Sequence, residues 1–172
     1  MIDPRNGRNF EYKGEDPNSG TPTRPFDIPY THGLKIGYKW FDAENKEPLF
    51  PFGFGMSYTA FAYSGLKVTP GKMPRLTFQV KNTGGRAGTE IAQVYVALPA
   101  STGEPPKRLV AWDRVELKAG EIKTVTLTID LFLLSIFSVE KDGWEFVPGE
   151  YKFLVGASSR DLPLSATVVL SN

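Results

Sequence analysis

The sequence predicts an all-β protein, a two-sheet sandwich preceded by an extended, aromatic-rich irregular arm. Composition supports this first: aromatic residues make up 13% of the 172, alongside 17 Gly and 14 Pro, a mixture suited to strands joined by tight corners. Second, beyond Thr59 short runs alternate apolar and polar residues with a period of two, each bounded by turn formers. No run of helical period competes with them, and strands in series without helices belong to a sandwich.

The elements follow in order. Met1 to Gly33 holds five of the fourteen prolines, with Asp-Pro at 3–4 and 16–17 and Asn-Ser-Gly at 18–20. Such dipeptides favour turns and extended backbone, so this stretch is expected to be a mobile loop or an arm ordered against a partner surface. From Leu34 to Phe61 the chain turns aromatic, with Tyr38, Trp40, Phe41, Phe50, Phe52, Phe54 and Tyr58. Pro48-Leu-Phe-Pro-Phe-Gly-Phe-Gly55 is too rich in Gly and Pro for a helix. Large rings on an extended segment suggest a docking strip, because they bury much area at small entropic cost. That they complete the sandwich's own core instead is equally open. The expected division is 1–58 for arm and strip and 59–172 for the sandwich.

Within the sandwich, Leu76, Phe78 and Val80 alternate with Thr77, Gln79 and Lys81 and stop at Asn82-Thr-Gly-Gly85. Ala92, Val94, Val96 and Leu98 share one face of the next run, with Gln93 and Tyr95 opposite. Arg108 to Leu117 is a further strand. Val125, Leu127 and Ile129 alternate with threonines, Tyr151, Phe153 and Val155 follow the Pro148-Gly149 turn, and Ala166 to Leu170 closes the chain. Val147-Pro-Gly-Glu-Tyr151 resembles the corner at which a Tyr packs near a strand start in such folds.

Several functional classes are disfavoured. With 20 Lys+Arg against 19 Asp+Glu the chain has no footprint for nucleic acid or an anionic membrane. Its longest apolar stretch, Leu131 to Phe137, is far short of the roughly 20 residues of a spanning helix. The opening residues lack the apolar segment of a secretory signal. Cysteine is absent, which excludes disulfides and thiolate metal sites.

The search for chemistry yields no catalytic, cofactor-binding or metal-binding residue. His32 is the only histidine and reads as an exposed loop residue. Asp42, Glu44 and Glu47, and likewise Glu140, Asp142 and Glu145, are interleaved with lysine at turns and read as solvated loop charge. Ser57 lacks the Gly-x-Ser-x-Gly elbow, and Gly53-x-Gly55 lacks the third glycine of a dinucleotide fingerprint. Trp40, Trp112 and Trp144 could form a sugar-stacking platform, although a ring within an alternating strand is more often core or interface.

Gly37-Tyr-Lys-Trp-Phe-Asp42 and Pro48-Leu-Phe-Pro-Phe-Gly-Phe-Gly-Met-Ser-Tyr-Thr59 resemble the C-terminal portion of glycoside hydrolase family 3, the family of β-glucosidases and β-xylosidases. Asn82-Thr-Gly, Gln93-Val-Tyr-Val96, Arg114-Val-Glu-Leu-Lys-Ala-Gly-Glu121 and Pro148-Gly-Glu-Tyr-Lys-Phe-Leu-Val-Gly156 fit the same resemblance, which covers Tyr30 to the C-terminus. It implies an immunoglobulin/fibronectin type III-like sandwich at the end of a retaining β-glycosidase. His32 stands where such relatives often carry Glu, and no residue matches the family's catalytic motifs. The resemblance therefore implies a non-catalytic module without cofactor. Its partners would be the catalytic domains of the parent glycosidase, in the same or a separate chain, which it would stabilise or position. The alternative is a carbohydrate-binding module that anchors the enzyme on polysaccharide. The parent is expected to be secreted or periplasmic, with a cytoplasmic location also open.

Overall fold

Alternation sets the inner face of most strands. In β2 (Arg75–Asn82) Leu76, Phe78 and Val80 are fully buried while Arg75, Gln79 and Lys81 face solvent. The computed structural model describes residues 31–171, so the expectation for residues 1–30 lies outside them. The other strands are β1 (Phe61–Thr69), β3 (Gly88–Ala97), β4 (Arg108–Leu117), β5 (Ile122–Thr128), β6 (Ile136–Ser138), β7 (Gly143–Glu145), β8 (Gly149–Gly156) and β9 (Leu164–Leu170). A three-stranded sheet of order β1-β2-β5 faces a four-stranded sheet of order β4-β3-β8-β9, and β6 and β7 form a separate hairpin. All pairings among the described strands are antiparallel.

The core lies between the two larger sheets: Leu76, Phe78, Val80 and Val125 from one, Ala92, Val94, Val96, Val115, Tyr151, Phe153 and Val155 from the other. Burying each large apolar side chain contributes roughly 1.5–3 kcal/mol before entropic losses. Tyr151 is fully buried, and its hydroxyl donates to the Val147 carbonyl at 2.8 Å, which forms the corner the sequence suggests. Burial pushes that hydroxyl's pKa up to about 12.

Two bulges re-aim side chains. In β1, Phe61 and Tyr63 point inward at odd positions, and the register then shifts between Ser64 and Lys67. Gly65 takes φ +68° there, after which Leu66 and Val68 point inward at even positions. In the β3–β4 ladder the register shifts between Val94 and Tyr95, so that Val94 faces Ala111 but Tyr95 faces Leu109.

The arm is not irregular throughout. Tyr38–Ala43 forms a helix, α1, entered from Gly37 at φ +57°. Six residues cannot hold a helix unaided; contacts to the sandwich hold this one, as described below.

A candidate docking surface

The outer face of β3 should be solvated by its alternation, yet Gln93 and Tyr95 are buried. The strip covers them. Tyr38 on α1 sets its ring edge-on to Tyr95, with centroids 5.6 Å apart at 87°, and its hydroxyl accepts from the Leu109 N–H at 2.8 Å, beside the β3–β4 bulge. Desolvation raises the pKa of both phenols, and for Tyr38 the Leu109 hydrogen bond works against it. Phe52 tilts against Tyr38 at 5.2 Å, and its carbonyl accepts from Ser159 N at 2.8 Å.

Gly53 lies over Gln93 at φ +81°, and a Cβ there would sit 2.3 Å from Gln93 Nε2. Gln93 is itself held at both ends. Its Nε2 donates to the Ala157 carbonyl at 2.6 Å, and its Oε1 accepts from Tyr95 Oη at 2.6 Å. At the far end of the strip, Thr59 Oγ1 donates to Asn82 Oδ1 at 2.6 Å. Asn82 is fully buried; its Nδ2 also donates to the Arg86 and Leu117 carbonyls, and its Oδ1 accepts from Gly84 N.

Asp42 corrects the sequence reading. It is not solvated loop charge: its side chain is 4% exposed and pairs with Lys107 Nζ at 2.5 Å and Arg160 Nε at 3.2 Å. An unpaired carboxylate so buried would be costly, and two cations make the site tolerable. Arg160 Nη2 also donates to the Lys46 carbonyl at 2.8 Å. Glu44, by contrast, pairs on the surface with Lys35, and Lys141 with Glu145 at the β6–β7 hairpin. His32 is exposed on a turn.

These anchors divide the seven strip aromatics. Tyr38, Trp40 and Phe41 are half-buried, Trp40 with the Lys46 ammonium 5.1 Å from its ring centroid and Phe41 edge-on at 5.0 Å. Phe50, Phe52, Phe54 and Tyr58 remain exposed, Phe50 and Phe54 in mutual contact at 5.3 Å. Leu49 and Met56, which the ring pattern overlooks, join them at 90% and 94% exposure, and Tyr58 reaches 92%. The strip thus turns its backbone toward the sandwich and presents an apolar ridge outward. A groove of about 460 Å³ follows the ridge, between Pro51–Ser57, Glu90 and Ala157–Asp161.

Trp112 and Trp144 are exposed rather than core. Trp144 contacts Phe132 at 4.7 Å and Phe137 at 5.8 Å, with the ring planes tilted by 56° and 79°. Among the described residues, no group of His, Asp or Glu is placed to hold a metal ion, and no helix is long and apolar enough to cross a membrane.

Residues 90–159, within the sandwich, match the family model of the fibronectin type III-like domain. The thermostable β-glucosidase B of Acetivibrio thermocellus is 39% identical over 147 residues, covering 82% of this chain and 20% of that protein. The β-glucosidase DesR of Streptomyces venezuelae, solved with D-glucose, superposes with a TM-score of 0.78 at 39% identity, over 83% of this chain and 19% of its own. A family 3 β-glucosidase of Bifidobacterium adolescentis gives 0.79 at 36% identity, over 82% and 21%. The chain spans about a fifth of the length of these relatives. Its similarity is thus to a C-terminal part of family 3 β-glucosidases.

Proposed function

We propose that the chain is a non-catalytic module of a family 3 β-glucosidase-like enzyme. It stabilises and positions the catalytic domains by docking through the ridge Leu49–Tyr58. One observation carries this reading. Gly53, the Phe52 carbonyl and Tyr38 seat the strip on the sandwich, whereas Leu49, Phe50, Phe54, Met56 and Tyr58 contribute little to the module's own packing. Large apolar groups held out on a fixed backbone suit an interface, where a central aromatic is worth about 2 kcal/mol or more. The remaining four-fifths of the relatives' length supplies a partner of sufficient size.

The test is a chimera, with this chain replacing the matched fragment of the A. thermocellus enzyme. Leu49→Ser with Tyr58→Ser should leave the isolated chain's unfolding unchanged, lower the chimera's thermal stability and leave kcat on an aryl glucoside nearly intact. A chimera as stable as the unsubstituted one would refute docking through the ridge.

A second reading, anchoring on polysaccharide, is favoured by the exposed rings of Trp112, Trp144, Phe132 and Phe137. It requires depletion of the chain from solution by insoluble cellulose, and loss of that depletion in Trp144→Ala.

A further inference from the structure

The groove beside the ridge holds negative charge that the module leaves unanswered. Glu90 on β3 and Asp161, between β8 and β9, both line it. Glu90 Oε1 accepts a 2.6 Å hydrogen bond from Tyr63 Oη, a neutral partner. Among the described residues neither carboxylate has an ion pair. Among the described residues Arg160 is the one basic residue lining the groove, and its guanidinium is committed to Asp42 and the Lys46 carbonyl. A second recess of about 430 Å³, lined by Thr59, Phe61, Tyr63 and Pro163, shares Gly55, Ser57, Glu90 and Asp161 with the first. The two carboxylates are therefore reached from both sides. Burial raises the pKa of Glu90, the Tyr63 hydrogen bond opposes this, and the charge of Asp161 adds to the rise.

We propose that this groove receives an arginine or lysine side chain from the catalytic part of the enzyme, seated on Glu90 and Asp161 while the ridge packs beside it. The occupant follows from three features of the molecule. Glu90 is half-buried and Asp161 exposed beside it, and among the described residues neither has a cation, so a basic group gains Coulomb energy there without displacing an existing pair. The groove shares Pro51, Phe54 and Met56 with the ridge, so whatever covers one borders the other. Some four-fifths of the relatives' length lies outside this fragment. The proposal rests on the docking reading and names the charge its partner must carry.

The chimera tests it through Glu90→Gln with Asp161→Asn. The amide oxygen introduced at position 90 would still accept from Tyr63, so the isolated 172-residue chain should keep or slightly raise its melting temperature. In the chimera, the module's calorimetric transition should fall by about 3 °C, the shift expected for loss of roughly 1 kcal/mol in a chain of this size. No fall overturns the proposal. If Leu49→Ser with Tyr58→Ser still lowers the transition, docking stands without the cation; if neither pair lowers it, docking itself fails. A crystal structure of the chimera gives the direct answer. A guanidinium or ammonium nitrogen within about 4 Å of either carboxylate is expected. Water, an apolar side chain or a second copy of the module in the groove would overturn it.

Discussion

Replacing Asn82 with alanine removes four hydrogen bonds from one fully buried side chain. Nδ2 donates to the Arg86 carbonyl at 2.7 Å and the Leu117 carbonyl at 3.2 Å, while Oδ1 accepts from Thr59 Oγ1 at 2.6 Å and Gly84 N at 3.0 Å. At about 1 kcal/mol net per bond the ceiling is near 4 kcal/mol. Arg86 is exposed and water can re-bond its carbonyl, whereas the bond to the Leu117 carbonyl is buried and cannot be replaced by water as easily. The expected loss is therefore about 2–4 kcal/mol. Urea unfolding of the 172-residue chain, followed by tryptophan fluorescence, measures it. Thr59→Val serves as the partial control, since it deletes only the bond that ties the strip to Asn82 and should cost about 1 kcal/mol. An Asn82→Ala loss below about 1 kcal/mol at unchanged m-value would refute the claim that this side chain joins strip and sandwich.

Gly53→Ala should lose about 2–3 kcal/mol, from an unfavourable positive φ and from displacing Gln93 out of its bonds to Ala157 and Tyr95. Exchange at the Ser159 amide, which donates to Phe52 O, should speed up with it; wild-type stability would contradict the seating. Glu90→Gln tests a sign. The folded-state pKa of Glu90 is raised by burial, so the carboxyl's contribution is fully present below its unfolded pKa and is lost as pH rises through the folded one. The neutral variant should therefore match or exceed wild type at pH 7. That advantage should vanish below the ordinary carboxylate range, near pH ~4; an advantage growing toward acid would reverse the assignment. Asp42→Asn should cost roughly 3–5 kcal/mol by leaving Lys107 unpaired, and Lys107→Met in that background should recover part of it.

Much of the sandwich is legible in the sequence because β2, β5 and β8 each have one dry face and an unbroken period. β1 is not, since its bulge moves the inward positions from Phe61 and Tyr63 to Leu66 and Val68, and neither half is long enough to show a period. Gln93 and Tyr95 sit at nominally outer positions, and only the strip folded over them explains their burial. Helix α1 and the burial of Asp42 are missed for a related reason. Both depend on partners far along the chain, Leu109 for Tyr38 and Lys107 with Arg160 for Asp42. The ring pattern finds the strip but not its division. Which rings turn inward is decided by where Gly53 and Phe52 meet Gln93 and Ser159, and Leu49 and Met56 escape notice because they are not aromatic.

Hydroxyl-radical footprinting of Met56 and Tyr58 tests the docked module most directly. Both side chains are almost wholly exposed in this chain and both oxidise readily. The account predicts rapid labelling in the isolated chain and strong protection in the full-length chimera, with Val139 at the β6–β7 turn labelled equally in both. Equal labelling of Met56 and Tyr58 in the two contexts would contradict it.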